Sequence, residues 1–390
     1  MYDTVVLKSP EIDIETKDKI LNFCNKYEGV DYCTGEILYS FTRGELEGSY
    51  DYRIRLAVDN MEYVKENTLT PVKVPTYWHL KIECSLHKLL MGHNCYGGPC
   101  DIQKSIAYLV KFLETVMNVK LPSFKLWEVY QIDVARIFKF NDKAICKRII
   151  SNLVRLYYTR RKPMVWDTSV MFAGSTTTNK FYWKGVEFKT HDYKRVMKYI
   201  SREYDMSYSE DNGDIKRSRL AILKMKYDGI LEKAMRIIRF ECSIKNRKLK
   251  DLYGTDKVYV KMLNDKTLHD CANSELRKLI KEEDNMDIVR RSDLVLERLL
   301  DKHGRQQGNI LYSTWTKLVQ FGEIATKETM SKATFYRHKK ILMESGISWQ
   351  CSVVNLKPFS IVPPDFSFLN DNYAYDDVEP EVTKKLEEVA

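Results

Sequence analysis

The chain has 390 residues, of which 44% are hydrophobic and 30% are charged, and its formal net charge is +9. No long uncharged apolar run is present, which excludes an ordinary transmembrane helix, and the N-terminus lacks a signal-peptide pattern. The nine cysteines are an odd number in a long chain without an export signal. We therefore expect reduced thiols and a cytoplasmic protein with no membrane partner.

Strand and helix patterns alternate along the first part of the chain, up to about residue 260. Period-two alternation predicts strands over 50–58, 76–85, 125–134 and 234–244. Helical spacing of apolar residues predicts helices over 101–118, 142–158, 191–204 and 214–233. Residues 169–189 predict a hairpin that turns near 174–178. Together these elements predict an α+β fold, with a mainly antiparallel sheet covered by helices.

The composition changes along the chain predict four regions. We expect an α+β unit over 1–260, a helical linker over 261–305, a helical module over 306–362 and an acidic, solvated tail over 363–390.

The C-terminal module has the pattern of a short basic helix that follows another helix at about 312–328. Ser331 is placed as its N-cap, Phe335 and Leu342 can face a core, and Gly346 ends it. The polar face carries Lys332, Thr334, Arg337, His338 and Lys340. This resembles the recognition helix of a helix-turn-helix. The alternative is a small packing module with a solvated basic face.

The positive charge is clustered rather than spread evenly. Residues 147–162 and 331–343 contain several basic side chains and no acid, and residues 236–250 contain one acid. Such clusters are typical of surfaces that contact DNA phosphates. Besides the C-terminal helix, we name as candidate contacts Arg160, Arg161 and Arg247.

Tyr182 and Lys184 lie two residues apart in a strand-like stretch, so their side chains would share one polar face. A phenol has a pKa near ~10 and needs a nearby cation to act as a nucleophile, which Lys184 could supply. The alternative is an ordinary sheet tyrosine, since the chain has 25 tyrosines. Tyr193 and Tyr199 on the following helix are further candidates for the nucleophile.

Three acids, Glu83, Asp133 and Glu241, lie within otherwise apolar strand patterns. Each could be a solvated or salt-bridged strand residue. Taken together they favour a divalent metal site, because hard carboxylate oxygens suit Mg²⁺ or Mn²⁺. The chain has neither a phosphate-binding loop nor a dinucleotide fingerprint, which argues against ATP hydrolysis.

Five segments, in one order along the chain, resemble the filamentous-phage gene II/X replication initiators and the related rolling-circle plasmid initiators. They are the stretch from Glu83 to Asn94, the strand 131–135, the hairpin 174–187, the Arg-Phe-Glu of 239–241 and the helix 331–340. The segments are short but together span about residues 80–350. The chain departs from the pattern at Gln131, where arginine is common, and it lacks a His-hydrophobe-His metal motif.

The resemblance implies an enzyme that nicks and closes DNA to start rolling-circle replication. It implies that Tyr182 is the nucleophile with Lys184 beside it, and that Asp133, Glu241 and Glu83 hold a divalent cation. The implied partners are double-stranded origin DNA and its nicked single strand, together with a host helicase and DNA polymerase. A homodimer is left open.

Two other functions remain open from the sequence. A non-enzymatic origin-binding or transcription-regulating protein would use the same basic helix without Tyr182 or a metal. A relaxase or transposase would use the same tyrosine chemistry on a different substrate.

Overall fold

A computed structural model describes residues 1–31, 33–46, 54–64, 73–153, 161, 163–209, 212–280, 292–347, 349, 368 and 377–388. The strands form one sheet whose neighbouring strands are all antiparallel. They are β1 (Tyr2–Ile12), β2 (Asn25–Val30), β3 (Ile37–Leu46), β4 (Ile54–Val64), β5 (Lys73–Ser85), β6 (Glu128–Lys139), β7 (Pro163–Trp166), β8 (Ser169–Phe172), β9 (Thr177–Trp183) and β10 (Ile237–Lys245). Their order is β2-β3-β4-β5-β1-β6-β10-β9-β8-β7, so β1, β6 and β10 lie in the middle.

The helices in the described residues connect and cover these strands. They are α1 (Ile14–Leu21), α2 (Leu86–Met91), α3 (Ile102–Met117), α4 (Lys143–Leu153), α5 (Lys184–Phe188), α6 (Lys194–Met206), α7 (Gly213–Ala234), α8 (Asn246–Tyr253), α9 (Asp265–Leu279), α10 (Ser292–Glu328), α11 (Lys332–Glu344) and α12 (Pro380–Glu387). The predicted α+β class with a mainly antiparallel sheet is confirmed.

One face of the sheet carries the main hydrophobic core. Alternate residues of the central strands, such as Ile132 and Val134 on β6 and Cys242 on β10, pack against α3, α4 and α9. Helix α3 forms because its apolar residues recur at helical spacing and because Asp101 caps it by accepting from the Lys104 amide. It ends where Asn118 takes a left-handed conformation with φ of 49°.

Among the described residues, a second apolar cluster covers one end of the opposite face of the sheet. Ala135, Ile137 and Ile237 pack there against α5, α6 and α7 in this cluster. Further along the same strands this face carries half-buried polar side chains, including Gln131, Asp133 and Ser243. The polar stretch therefore begins where the helical cover stops.

The predicted hairpin over 169–189 is shorter than expected. Strands β8 and β9 pair as predicted, but β9 ends at Trp183 and the chain continues as α5 from Lys184. Helix α9, which lies within the predicted linker of 261–305, has Leu268 and Leu276 in the main core. Its apolar face is thus part of the sheet unit.

The C-terminal module has its own core, to which Leu311, Trp315, Phe335 and Leu342 contribute. Ser331 caps α11 by accepting from the Thr334 amide, as predicted. The helix predicted at 312–328 is interrupted, because Gly322 within α10 has φ of 75°. Only glycine adopts that conformation readily, and it turns the chain between two helical segments.

The prediction of a solvated tail is wrong for the last described residues. Residues 380–387 form α12, whose Val382 and Leu386 are buried against Leu90 of α2. The Lys385 ammonium also donates to the Leu90 carbonyl. The acidic composition suggested solvent exposure, but two apolar residues four positions apart give the helix a packing face. None of the helices in the described part of the chain combines the length and apolar character needed to cross a membrane.

Candidate active site

Strand β10 brings the candidate residues of three strands together. Glu241 lies opposite Lys180 of β9, and Arg239 lies opposite Tyr182. On the other side of β10, Ser243 lies opposite Asp133 of β6. Because directly paired residues of antiparallel strands point to the same face, all of these side chains share the polar face of the sheet.

Tyr182 contacts one of the candidate acidic residues, Glu241, but it is not exposed. Its hydroxyl donates a 2.5 Å hydrogen bond to Oε1 of Glu241, whose side chain is 14% exposed. The Tyr182 residue itself is only 3% exposed. Burial raises the pKa of Tyr182 well above its ordinary value, although the neighbouring Arg239 acts in the opposite direction. In this conformation the phenol is therefore protonated.

Lys184 does not share a strand face with Tyr182, because it is the first residue of α5. Its fully buried ammonium donates 2.6 Å to Oδ1 of Asn94 and pairs with Glu187. Burial alone would lower the pKa of Lys184, but the Glu187 carboxylate outweighs it and the pKa is raised. The result is a fixed positive charge 5.7 Å from the centroid of the Tyr182 ring.

Asp133 lies beside Glu241 in an environment that favours its neutral form. Burial, and then the negative charge of Glu241, raises the pKa of Asp133 to about 7. Gln131, which stands where arginine is common in the resembling family, donates from Nε2 to Oδ1 of Asp133 at 2.9 Å. An amide at this position offers a hydrogen bond but no charge to offset the two carboxylates.

Glu83 is not brought into the acidic pair. It lies on β5, which β1 separates from β6, and its 44% exposed side chain accepts 2.9 Å from Nη1 of Arg55. Among the described residues, no group of three or more histidine, cysteine, aspartate or glutamate side chains could hold a metal ion. Of the three predicted ligands, Asp133 and Glu241 are close enough to interact electrostatically on this face, and Glu83 lies apart from them.

The sequence placed Arg239 in a basic cluster typical of DNA contacts, but its side chain is fully buried behind this site. Its Nη2 lies 2.6 Å from Oδ2 of Asp3, its Nη1 donates to the Asn94 carbonyl, and its Nε lies 2.8 Å from Oε1 of Glu241. The last contact is an ion pair without hydrogen-bond alignment. The i, i+2 spacing of Arg239 and Glu241 was a usable signal, whereas nothing local marked Asp3.

The two further candidate tyrosines lie beyond α5, Tyr193 in the helical turn Lys189–Tyr193 and Tyr199 in α6. The Tyr193 hydroxyl donates 2.6 Å to Oδ1 of Asp228, and this hydrogen bond raises the pKa of Tyr193 to about 12. Tyr199 lies on α6 with the Arg202 guanidinium 5.9 Å from its ring centroid.

Most of the α11 side chains predicted to face DNA lie on the solvent side of the helix, but His338 does not. Lys332, Arg337 and Lys340 are exposed, and Thr334 is half-buried beside its capping partner. His338 is buried, with its Nδ1 2.8 Å from the Thr314 hydroxyl, and so faces the module's core. The exposed aromatic residue on this helix is Tyr336, which lies next to Arg337.

The basic residues predicted outside α11 differ in availability. Arg247 on α8 is exposed. Arg161 is instead engaged within the protein: it donates 2.8 Å to the Thr177 hydroxyl and contacts Glu275. Arg160 lies outside the described residues.

A model of a known protein family, the N-terminal region of the phage gene II replication-associated protein, matches residues 56–269, which is more than half of the chain. The matched stretch contains Asp133, Tyr182 and Glu241. Searches of curated proteins and of solved structures gave no match. The chain belongs to the family of the phage gene II replication-associated protein.

Proposed function

We propose that this protein starts DNA replication by nicking one strand of origin DNA through Tyr182 and later closes the displaced strand. Membership of a replication-associated family supports a role on DNA. The observation that carries the chemistry is the 2.5 Å contact between the Tyr182 hydroxyl and Glu241, beside a second carboxylate on one sheet face. Through this hydrogen bond, the tyrosine of the hairpin motif is already in contact with a carboxylate that can accept its proton.

In the nicking step the Tyr182 oxygen bonds to phosphorus, and the bond between phosphorus and the 3′ oxygen breaks. The phenol proton passes to Glu241, which already accepts its hydrogen bond, and the leaving 3′ oxygen takes a proton from solvent. The products are a 5′-phosphotyrosine and a free 3′-OH. Because closure exchanges one phosphodiester for another, neither step needs ATP.

Two lysine ammonium groups near the Tyr182 ring would favour its ionised form, against the carboxylates of Glu241 and Glu187. The ammonium groups of Lys180 and Lys184 lie 4.4 and 5.7 Å from the ring centroid. Both are placed to offset negative charge on the phenol or on the phosphate. Since Tyr182 is buried in the resting conformation, its side chain must turn toward the open face for the attack.

Asp133 and Glu241 fit a divalent cation of the Mg²⁺ or Mn²⁺ type. Burial, and then the negative charge of Glu241, raises the pKa of Asp133 to about 7, and a shared cation would stabilise both ionised carboxylates. Two carboxylates are enough, because Mg²⁺ commonly takes its other ligands from water and substrate phosphates. When bound, such a cation would polarise the phosphate oxygens. Glu83, which is paired with Arg55, is a weaker candidate ligand.

Duplex recognition is assigned to α11. Its exposed Lys332, Arg337 and Lys340 are suited to phosphates or base edges in the major groove. The 3′-OH left by nicking would prime a host polymerase, and unwinding would need a separate helicase.

The test is incubation of the protein with supercoiled origin DNA and Mg²⁺ or Mn²⁺. We expect nicked or relaxed DNA with protein covalently attached, and loss of both products in Tyr182→Phe. Tyr193→Phe is the matched control, because it also removes a carboxylate-bonded hydroxyl. Attachment that persists in Tyr182→Phe would contradict the assignment.

One observation favours a second candidate, a non-enzymatic origin-binding or regulatory protein. The Tyr182 ring is 3% exposed and burial raises its pKa, as for a structural tyrosine. This candidate predicts that the protein binds duplex origin DNA through α11 and that no covalent protein–DNA product forms, even when all of the DNA is bound.

A further inference from the structure

The face that carries Tyr182 continues without a break to the edge of the sheet. Tyr182 of β9 lies opposite Ser169 of β8, which lies opposite Trp166 of β7. In the next row, Lys180 lies opposite Met171, which lies opposite Met164. Directly paired residues share a face, so Trp166 and Met164 lie on the same side of the sheet as Tyr182 and Lys180.

Trp166 is close to the candidate nucleophile. Neighbouring strands are ~4.8 Å apart, so Trp166, which lies two strands away from Tyr182 in the same row of cross-strand pairs, is about 10 Å from it. Trp166 is 50% exposed and Met164 is also exposed, although both are large apolar side chains. Exposure alone does not single out Trp166, because its neighbour Val165 is 50% exposed as well. The strand register distinguishes the two residues, because Val165 pairs with Val170 and lies on the face of the sheet opposite to Tyr182.

We infer that the β7–β8–β9 face, with Trp166 as its stacking residue, binds the single-stranded nucleotides next to the cleaved phosphate. This inference rests on the proposed function, which brings one DNA strand to Tyr182. An indole stacks on any base, and Lys180 adds a positive charge in the adjoining row for the backbone. Continuity with the Tyr182 row is what selects a DNA strand as the occupant, rather than a second copy of the chain.

The experiment measures binding of the full chain to fluorescein-labelled oligothymidylate of about 20 nucleotides, long enough to span a single-strand site, without added divalent metal. Oligothymidylate is suitable because stacking tolerates any base. We expect Trp166→Ala to weaken binding on the order of tenfold and Trp166→Phe to retain most of the affinity. Val165→Ala, the matched control from the opposite face, should bind like the wild type. Labelled duplex should bind all of these proteins equally, and thermal melts should show that each is folded.

Several results would overturn the inference. These are failure of the wild type to bind the probe, equal affinity of Trp166→Ala and wild type, or an equal loss in Val165→Ala. Loss of self-association in Trp166→Ala at unchanged probe affinity, seen by sedimentation, would assign the face to a second copy. The proposed function is tested separately by Tyr182→Phe. This variant should bind the probe normally but lose covalent attachment to origin DNA, and attachment that persists would contradict the proposed function alone.

Discussion

Arg239 is the residue on which the geometry of the candidate site depends. It is fully buried and lies between the carboxylates of Asp3 and Glu241, while Glu241 accepts from Tyr182. Burial raises the pKa of Asp3, but Arg239 outweighs this effect and the pKa is lowered. Arg239 therefore stabilises the ionised form of Asp3 in the interior. Its ion pair with Glu241 also positions the carboxylate that accepts the hydrogen bond from the Tyr182 hydroxyl.

Replacing Arg239 by glutamine should be strongly destabilising. The change leaves Asp3 and Glu241 without their cation, and breaking a buried ion pair typically costs ~3–5 kcal/mol. Urea unfolding measures the loss. The exposed Arg247→Gln should stay within ~0.5 kcal/mol of wild type. Equal stability of the two variants would contradict the structural role of Arg239.

His93 shows how burial next to positive charge makes stability depend on pH. Burial, and then Lys226 and Lys184, lowers the pKa of His93 to about 3, whereas an unfolded histidine titrates near ~6.5. Between these values the unfolded chain binds one more proton than the folded chain, so stability falls as pH falls below ~6.5.

Between pH ~7.5 and ~5.5 the single His93 site should cost about 1.4 kcal/mol of unfolding free energy. His93→Gln removes this contribution, so the variant should lose less stability than wild type over the same interval. Urea titrations at the two pH values test this. An identical pH dependence in both proteins would show that His93 is not neutral in the folded state.

At the scale of elements, α11 combines a core-facing side with a basic outer side. Phe335, His338 and Leu342 are buried, whereas Arg337 and Lys340 are exposed. Lys339, between them, is held by Glu323 at 2.7 Å. The Lys339 charge is thus held in a half-buried ion pair, whereas Lys340 has only an exposed contact with Glu344 at 3.7 Å.

Arg337→Ala and Lys340→Ala should each weaken duplex binding at all sequences and reduce the salt slope by about one. Lys339→Ala is the matched control and should leave the slope unchanged, because its charge is paired within the protein. Binding titrations at several salt concentrations give the slopes. A slope that changes only in Lys339→Ala would show that the DNA-facing side is assigned incorrectly.

At the scale of the whole molecule, the sequence predicted those features that depend on local pattern. The extent of α3 and the Ser331 cap of α11 followed from residues within a few positions of each other. Contacts that depend on strand register did not: Asp3 meets Arg239 across 236 positions, and the Trp166 row appears only once three strands are aligned. His338 was misplaced because its partner Thr314 lies on another helical segment.

Helix α12 is another element whose packing depends on a distant part of the chain, and it gives a further prediction. Its Val382 is buried on α2, so Val382→Asp should detach the helix, whereas Thr383→Asp at the exposed neighbouring position should not. Trypsin cleavage after Lys384 and Lys385 should then be faster in Val382→Asp than in wild type and in Thr383→Asp. Equal cleavage rates in all three proteins would contradict the docked position.

The most direct test of the central claim is to identify the tyrosine that becomes joined to DNA. Trypsin separates the three candidates into peptides 181–184, 190–194 and 199–202, which contain Tyr182, Tyr193 and Tyr199. After nicking and nuclease trimming, mass spectrometry should find the nucleotide remnant on peptide 181–184. A remnant on either of the other peptides, or no remnant from DNA that has been nicked, would contradict the account.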